Sequence, residues 1–268
     1  MNTTLKITRA DPAGNLTLFI EGNVPADRYA ALAADLLNRP EFAAEQAGYA
    51  DLSARRLEMS GGEFCGNASR AFGFYIARQQ GLPSGEVQIQ ISGRSHPVRT
   101  LVDPGTNTAF ADMPLPAAIG EIRLPDPAGI RPLVRFEGIW HILMIGCVDT
   151  DSFPVIRDAI YRNNSPEALG VMYISEDLKS MVPMVYVAGP GTLYRESSCG
   201  SGTAAVAAWL AMQHPQPAEE ETASFSICLK QPGGELGAEV LLKNGTLNRI
   251  RIGGPVSLEP PVFIDLEI

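Results

Sequence analysis

The sequence is short of several things, and each shortage removes a class of protein. Its longest apolar run is about nine residues, Ala204 to Met212, too short to span a bilayer. Basic residues are in the minority. With 21 Lys and Arg against 30 Asp and Glu, the formal net charge is -9. That disfavours a nucleic-acid or anionic-membrane partner, since either would want a basic stripe. There are only 4 cysteines and 3 histidines, with no CxxC, HxxxH or HxxEH. Neither a disulfide-dense scaffold nor a metal site is therefore expected. No GxxxxGK motif is present, and no GxGxxG follows a strand into a βαβ unit, so phosphate loops are not expected. Lysines are scarce (Lys6, Lys179, Lys230, Lys243), and none adjoins a phosphate-cup string, which argues against a pyridoxal Schiff base. Chemistry without a cofactor is the expectation. The opening MNTTLKITRA lacks a charged region followed by an apolar stretch, so no secretory leader is expected and the expected compartment is the cytoplasm.

What the sequence has is enough apolar character for a packed core, at 45% hydrophobic and 19% charged. Its 268 residues allow one large domain or two. Cys65 and Cys199 lie half the chain length apart, which invites a search for an internal repeat. Around the first the text reads GGEFCGNASRAFGFYIARQQG, and around the second RESSCGSGTAAVAAWLAMQH. Each reads as a loop, then Cys-Gly and small polar residues, then an apolar-rich helix. Asn67 matches Ser201, Ala68 matches Gly202 and Ser69 matches Thr203. Downstream of each, alternating strands and Gly-containing turns follow, with a short insertion expected in the second half at 214–223. Upstream, LTLFIEG and PADRYAALAADLLNRP read as strand then helix. Their partners are WHILMIGCVD and SFPVIRDAIYRN.

The expected fold is α+β, with two pseudosymmetric domains of like topology and the active site in the cleft between them. The boundary is expected in the Pro-rich stretch 114–132, giving domains over 1–120 and 121–268.

A cysteine that opens a helix sits beside free backbone N–H groups and the positive end of the helix dipole. There a thiolate forms more easily and a carboxylate can dock. Gly66 and Gly200 allow close backbone approach. With Asn67, Ser201 and Gly202 they are the expected substrate-contacting residues. Two such thiols on opposite walls would let one remove a proton from a carbon while the other returns one to the opposite face. The stereocentre would invert without a cofactor. Cys147 and Cys228, in apolar or strand-like runs, read as ordinary small hydrophobes.

The string EFCGNASR together with CGSGT resembles the cofactor-independent diaminopimelate epimerases, and more loosely the proline racemases, over nearly the whole chain. Within that superfamily the segments are most similar to the histidine racemases of staphylopine-type metallophore biosynthesis. The resemblance is carried by Pro12-Ala13-Gly14-Asn15, Glu45-Gln46-Ala47-Gly48, Met59 to Ala68, the spacing of Glu196 to Cys199, and Gln231 to Gly234. It implies a small amino-acid substrate, most simply L-histidine, and no cofactor. It also implies Cys65 and Cys199 as the acid/base pair and Asn15 lining the substrate site. Glu45 and Glu196 would be polar groups near the thiols or the amine, and His141 the residue that orients a thiol. The resemblance also implies a homodimer. Diaminopimelate is disfavoured because Arg195-Glu196 reverses the Glu-Arg order of those epimerases and abuts the motif, and because Arg56 stands where they carry Asn.

Overall fold

Alternating apolar residues send the first strands' side chains to two faces of one sheet. In β1 (Asn2–Asp11), Leu5 and Ile7 join one buried cluster and Ala10 another. In β2 (Thr17–Glu21), Leu18 and Ile20 join the first and Phe19 the second. This is the period-2 pattern of a sheet covered on both sides. A computed structural model describes residues 2–147, 149–213 and 222–267, and they fall into two compact units.

In the first unit, a 3-10 turn and helix α1 (Tyr29–Leu37) cover one face through Ala33 and Leu36. The chain returns as β3 (Gln46–Asp51), parallel to β2 with Gln46 opposite Thr17. An antiparallel β4 (Arg56–Met59) follows, then helix α2 (Gly66–Gln80), which is buried on the second face from Gly66 to Ala77. Helix α2 stops where Gly81 adopts a left-handed φ of 62° and the Leu82 N–H reaches back to the Ala77 carbonyl. It can lie close on the sheet because residue 73 is glycine. A Cβ there would sit 2.1 Å from Thr100 Oγ1. Strands β5 (Gly85–Ile91), β6 (Val98–Asp103) and β7 (Thr108–Met113) form an antiparallel meander, and β5 joins β4 in parallel with Gln90 opposite Arg56.

The second unit opens with β8 (Ala118–Arg123), β9 (Ile130–Arg135) and β10 (Ile139–Ile145). A 3-10 turn and α3 (Phe153–Tyr161) then lead to β11 (Ala168–Ile174), parallel to β10. After β12 (Met181–Val187) and β13 (Thr192–Arg195) comes α4 (Gly200–Gln213), followed by β14 (Thr222–Gln231), β15 (Gly234–Lys243) and β16 (Thr246–Pro255). Six strands make one sheet in the order β13-β12-β11-β10-β9-β8. Phe153, Ile156 and Ile160 of α3 cover the face carrying Ile142, Met144, Val171 and Tyr173. Helix α4 packs on β9, β10, β14 and β15. The chain ends with β17 (Ser257–Leu258) and β18 (Val262–Glu267), both antiparallel to β1.

The same order of elements therefore occurs twice: a parallel strand-helix-strand crossover, an antiparallel return, a helix opened by Cys, and a meander. The isolated parallel bridge between Ser180 and Lys230 repeats the β4–β5 pairing of the first unit. The fold is α+β, as the sequence suggests. The division differs from the expected 1–120 and 121–268. The first unit runs to Asp112 and resumes at Gly253, and Met113–Ile252 form the second. Strands β8 and β9 occupy the Pro-rich stretch that reads as a linker. Pro132 is tolerated inside β9 because the pairing with β10 stops at Leu133, leaving that position a neighbour on one side only. The final strands rejoin the first unit because β1 has a free edge to fill. The expected insertion at 214–223 falls mostly on residues outside those described.

Candidate active site

Each conspicuous cysteine stands at the start of its helix, with nearly superimposable local bonding. Cys65 is the N-cap of α2, in extended conformation (φ -127°, ψ 116°). Its sulfur accepts from the Ala68 N–H at 3.4 Å, and its carbonyl accepts from Ser69 Oγ at 2.7 Å. Cys199 precedes α4. Its sulfur accepts from the Gly202 N–H at 3.4 Å, and its carbonyl from Thr203 Oγ1 at 2.7 Å. The equivalence of Ser69 with Thr203 read from the sequence is thus an equivalence of function: each hydroxyl braces the carbonyl of its cysteine.

In the first unit the half-buried Cys65 sulfur accepts from Gln46 Nε2 at 3.4 Å and lies 3.9 Å from Asn15 Oδ1. Gln46 also donates to Asn15 Oδ1 and Thr17 Oγ1, both at 2.8 Å. Asn15 in turn donates through Nδ2 to Glu45 Oε2 at 2.9 Å. The turn that presents Asn15 contains Ala13 at φ 57°, a left-handed conformation strained for alanine. Asp11 steadies it by accepting from the Gly14 N–H. Asn15, Glu45 and Cys65 are therefore one hydrogen-bonded group, with Gly66 and Asn67 behind them on α2. Asn67 Oδ1 accepts from Arg70 Nε at 3.2 Å.

In the second unit Cys199 is buried, at 4% exposure. Burial raises its thiol well above the usual range, and the neighbouring Glu196 carboxylate raises it further through its charge and a hydrogen bond. Ser201 Oγ lies 3.6 Å from the sulfur. Gly200 and Gly202 are both buried, and a Cβ on Gly202 would meet Met172 Sδ at 2.2 Å and Cys199 Sγ at 3.2 Å. His141 is fully buried on β10, on the face opposite α3, and burial lowers its pKa to about 3. Among the described residues neither ring nitrogen has a hydrogen-bond partner. The Met172 methyl lies 2.9 Å from where a Gly170 Cβ would sit, and His141 Nδ1 2.2 Å from that same point. His141 is therefore a buried ring that is uncharged at neutral pH, close to the Met172 side chain.

Two further residues complete the local geometry. Gln46 bonds the Cys65 sulfur directly, and Gln231 bonds the Cys199 backbone. Both stand in the sequence segments that carry the resemblance, Glu45-Gln46-Ala47-Gly48 and Gln231 to Gly234, which was the signal available. Among the described residues no three His, Cys, Asp or Glu side chains gather as a metal-binding group. No helix among them is long and apolar enough to cross a membrane.

Solved structures share this fold across almost the whole chain. A hydroxyproline epimerase from Agrobacterium vitis, with bound trans-4-hydroxy-L-proline, has a TM-score of 0.63 at 12% identity, covering 98% of this chain and 92% of its own. A methylitaconate-delta-isomerase has a TM-score of 0.60 at 13% identity, covering 100% of this chain and 96% of its own. The fold is that of the racemase and epimerase class of isomerases. At higher identity, a histidine racemase of Fusobacterium nucleatum is 32% identical over 220 residues, 77% of this chain and 81% of the relative. A histidine racemase of Staphylococcus aureus is 22% identical over 246 residues, 87% of each chain. The model of the histidine racemase CntK N-terminal domain matches residues 4–260. The chain belongs to that histidine racemase family and is an isomerase of the amino-acid racemase type. The resemblance read from the paired CGN and CGSG strings holds at the level of the family.

Proposed function

We propose that this protein interconverts L- and D-histidine without a cofactor, using Cys65 and Cys199 as its two proton-transfer groups. The observation that carries the reading is the duplicated cap: two cysteines, each opening a helix, each with its sulfur 3.4 Å from a backbone N–H of the first turn. Such N–H groups stabilise a thiolate and also suit a substrate carboxylate. One thiolate takes the Cα proton, the resulting carbanion is stabilised by the helix dipoles, and the other thiol returns a proton from the opposite face. The mechanism requires both sulfurs to reach opposite sides of one carbon. Histidine as substrate is supported by the named activity of the relatives. D-histidine would then be the product supplied to metallophore assembly.

The test is to incubate the purified protein with L-histidine and separate the enantiomers by chiral chromatography, alongside the other common amino acids and LL-diaminopimelate. D-histidine should accumulate toward an equal mixture. Turnover of diaminopimelate or another amino acid in its place would replace the substrate, and no turnover of any would remove the activity.

A further inference from the structure

The two cysteine caps share their bonding but not their charge. Arg70, in the second turn of the helix that Cys65 caps, has 0% of its surface exposed. Its donors go to neutral oxygens only: Nε to Asn67 Oδ1 at 3.2 Å, and Nη1 to the Gly254 and Pro255 carbonyls at 3.1 and 3.0 Å. Among the described residues the buried Nη2 has no hydrogen-bond partner. No carboxylate forms an ion pair with Arg70 among the described residues. A buried cation left so nearly uncompensated is expensive. The residue-for-residue equivalence of the repeats puts Ala204, also 0% exposed, where the first unit has Arg70. In the second unit the charged neighbour is instead the Glu196 carboxylate. Burial lowers the Arg70 guanidinium to about 10, so it stays cationic at neutral pH, and the nearby acidic groups that act against that lowering are Cys65 first and Asp11 second. Two further carboxylates stand in the segments beside Cys65. Glu45 is held by Asn15, and Glu63 folds back over Gly61.

We propose that Arg70 is a positioning residue that makes the two thiols unequal: its buried guanidinium is the counter-charge for a Cys65 thiolate, while Cys199, beside Glu196, is kept as the thiol. The ligand-free enzyme then already holds one base and one acid, and Cys65 is the base. This rests on the two-thiol reading, but it concerns the free protein and is read without substrate.

The experiment is alkylation of the ligand-free protein with iodoacetamide across pH, each cysteine followed by peptide mass spectrometry, for wild type, Arg70→Met and Arg70→Lys. In wild type Cys65 should react at lower pH than Cys147, which is also half-buried. Arg70→Met should slow Cys65 alkylation at pH 7 by about tenfold or more, the effect of losing one opposite charge nearby. It should leave Cys147 unchanged, and Arg70→Lys should restore most of the reactivity. A Cys65 profile that does not move in Arg70→Met overturns the proposal, as does a wild-type Cys65 no more reactive than Cys147. If Arg70→Met does not fold, the wild-type comparison and Arg70→Lys decide: Cys65 reactivity lost in the folded lysine variant, which keeps the charge, would also overturn it. Failure to racemise histidine leaves this result standing. An active racemase with an unmoved Cys65 profile sinks only the role of Arg70.

Discussion

Gln231 holds the backbone of Cys199. Its side-chain carbonyl accepts from the Cys199 N–H at 2.8 Å, while its Nε2 donates to Thr203 Oγ1 at 2.8 Å. Thr203 in turn donates to the Cys199 carbonyl. Both peptide groups flanking the thiol are thereby fixed from one buried side chain on β14.

Gln231→Ala leaves the Cys199 N–H buried without that partner. The expected loss of stability is about 1–3 kcal/mol by urea denaturation, with a fall in kcat because the sulfur is no longer held. Unchanged stability would mean that the bond contributes nothing net.

Gly202→Ala drives a methyl into the Met172 thioether, which a Cβ would meet at 2.2 Å. The variant should lose activity and melt at lower temperature, since overpacking a dense core costs about 1–3 kcal/mol. Adding Met172→Ala should recover part of the loss. A double variant worse than Gly202→Ala by the full cost of Met172→Ala alone would show that the two residues do not compete for space.

Glu196→Gln tests the origin of the raised Cys199 thiol. With one thiolate and one thiol required, the rate should be bell-shaped in pH. The alkaline limb should report deprotonation of Cys199. The Glu196 charge raises that group, so removing it lowers the thiol, and the alkaline limb should move to lower pH. Movement to higher pH, or none, would show that Glu196 does not act on Cys199.

His141 makes a prediction about stability. Its folded pKa of about 3 lies below the ordinary histidine value of 6.5. Between these values the unfolded chain binds a proton that the folded protein does not. The preference for the folded state is therefore complete above pH 6.5 and erodes as pH falls toward 3, by ~1.4 kcal/mol per unit at most. Denaturation midpoints measured from pH 7 to 4 should show this slope and lose it in His141→Phe. Equal slopes in both proteins would contradict a neutral, buried imidazole.

The repeat and the two cysteines were legible in the sequence because CG followed by small polar residues is a local signal, written twice. The domain boundary was not. Prolines are read as linker, yet Pro132 fits a strand whose ladder has ended on one side, and nothing local announces that β17 and β18 return to β1. The roles of Gln46 and Gln231 depend on contacts across strands, Gln46 to Cys65 and Gln231 to Cys199. One residue in a recognised string could not reveal its partner. Arg70 is the sharpest case. In the text it is one more polar residue of a helix start, and only its burial makes its charge consequential. His141 was given a thiol-orienting role by resemblance, and among the described residues its ring nitrogens make no hydrogen bond.

The most direct measurement is the isotope pattern of the first few per cent of turnover in D₂O, starting from L-histidine. Two different groups on opposite faces should give D-histidine carrying deuterium at Cα while the recovered L-histidine keeps its protium. Deuterium entering L-histidine as fast as D-histidine, or protium retained in the product, would mean that one group serves both faces, and would contradict the pairing of Cys65 with Cys199.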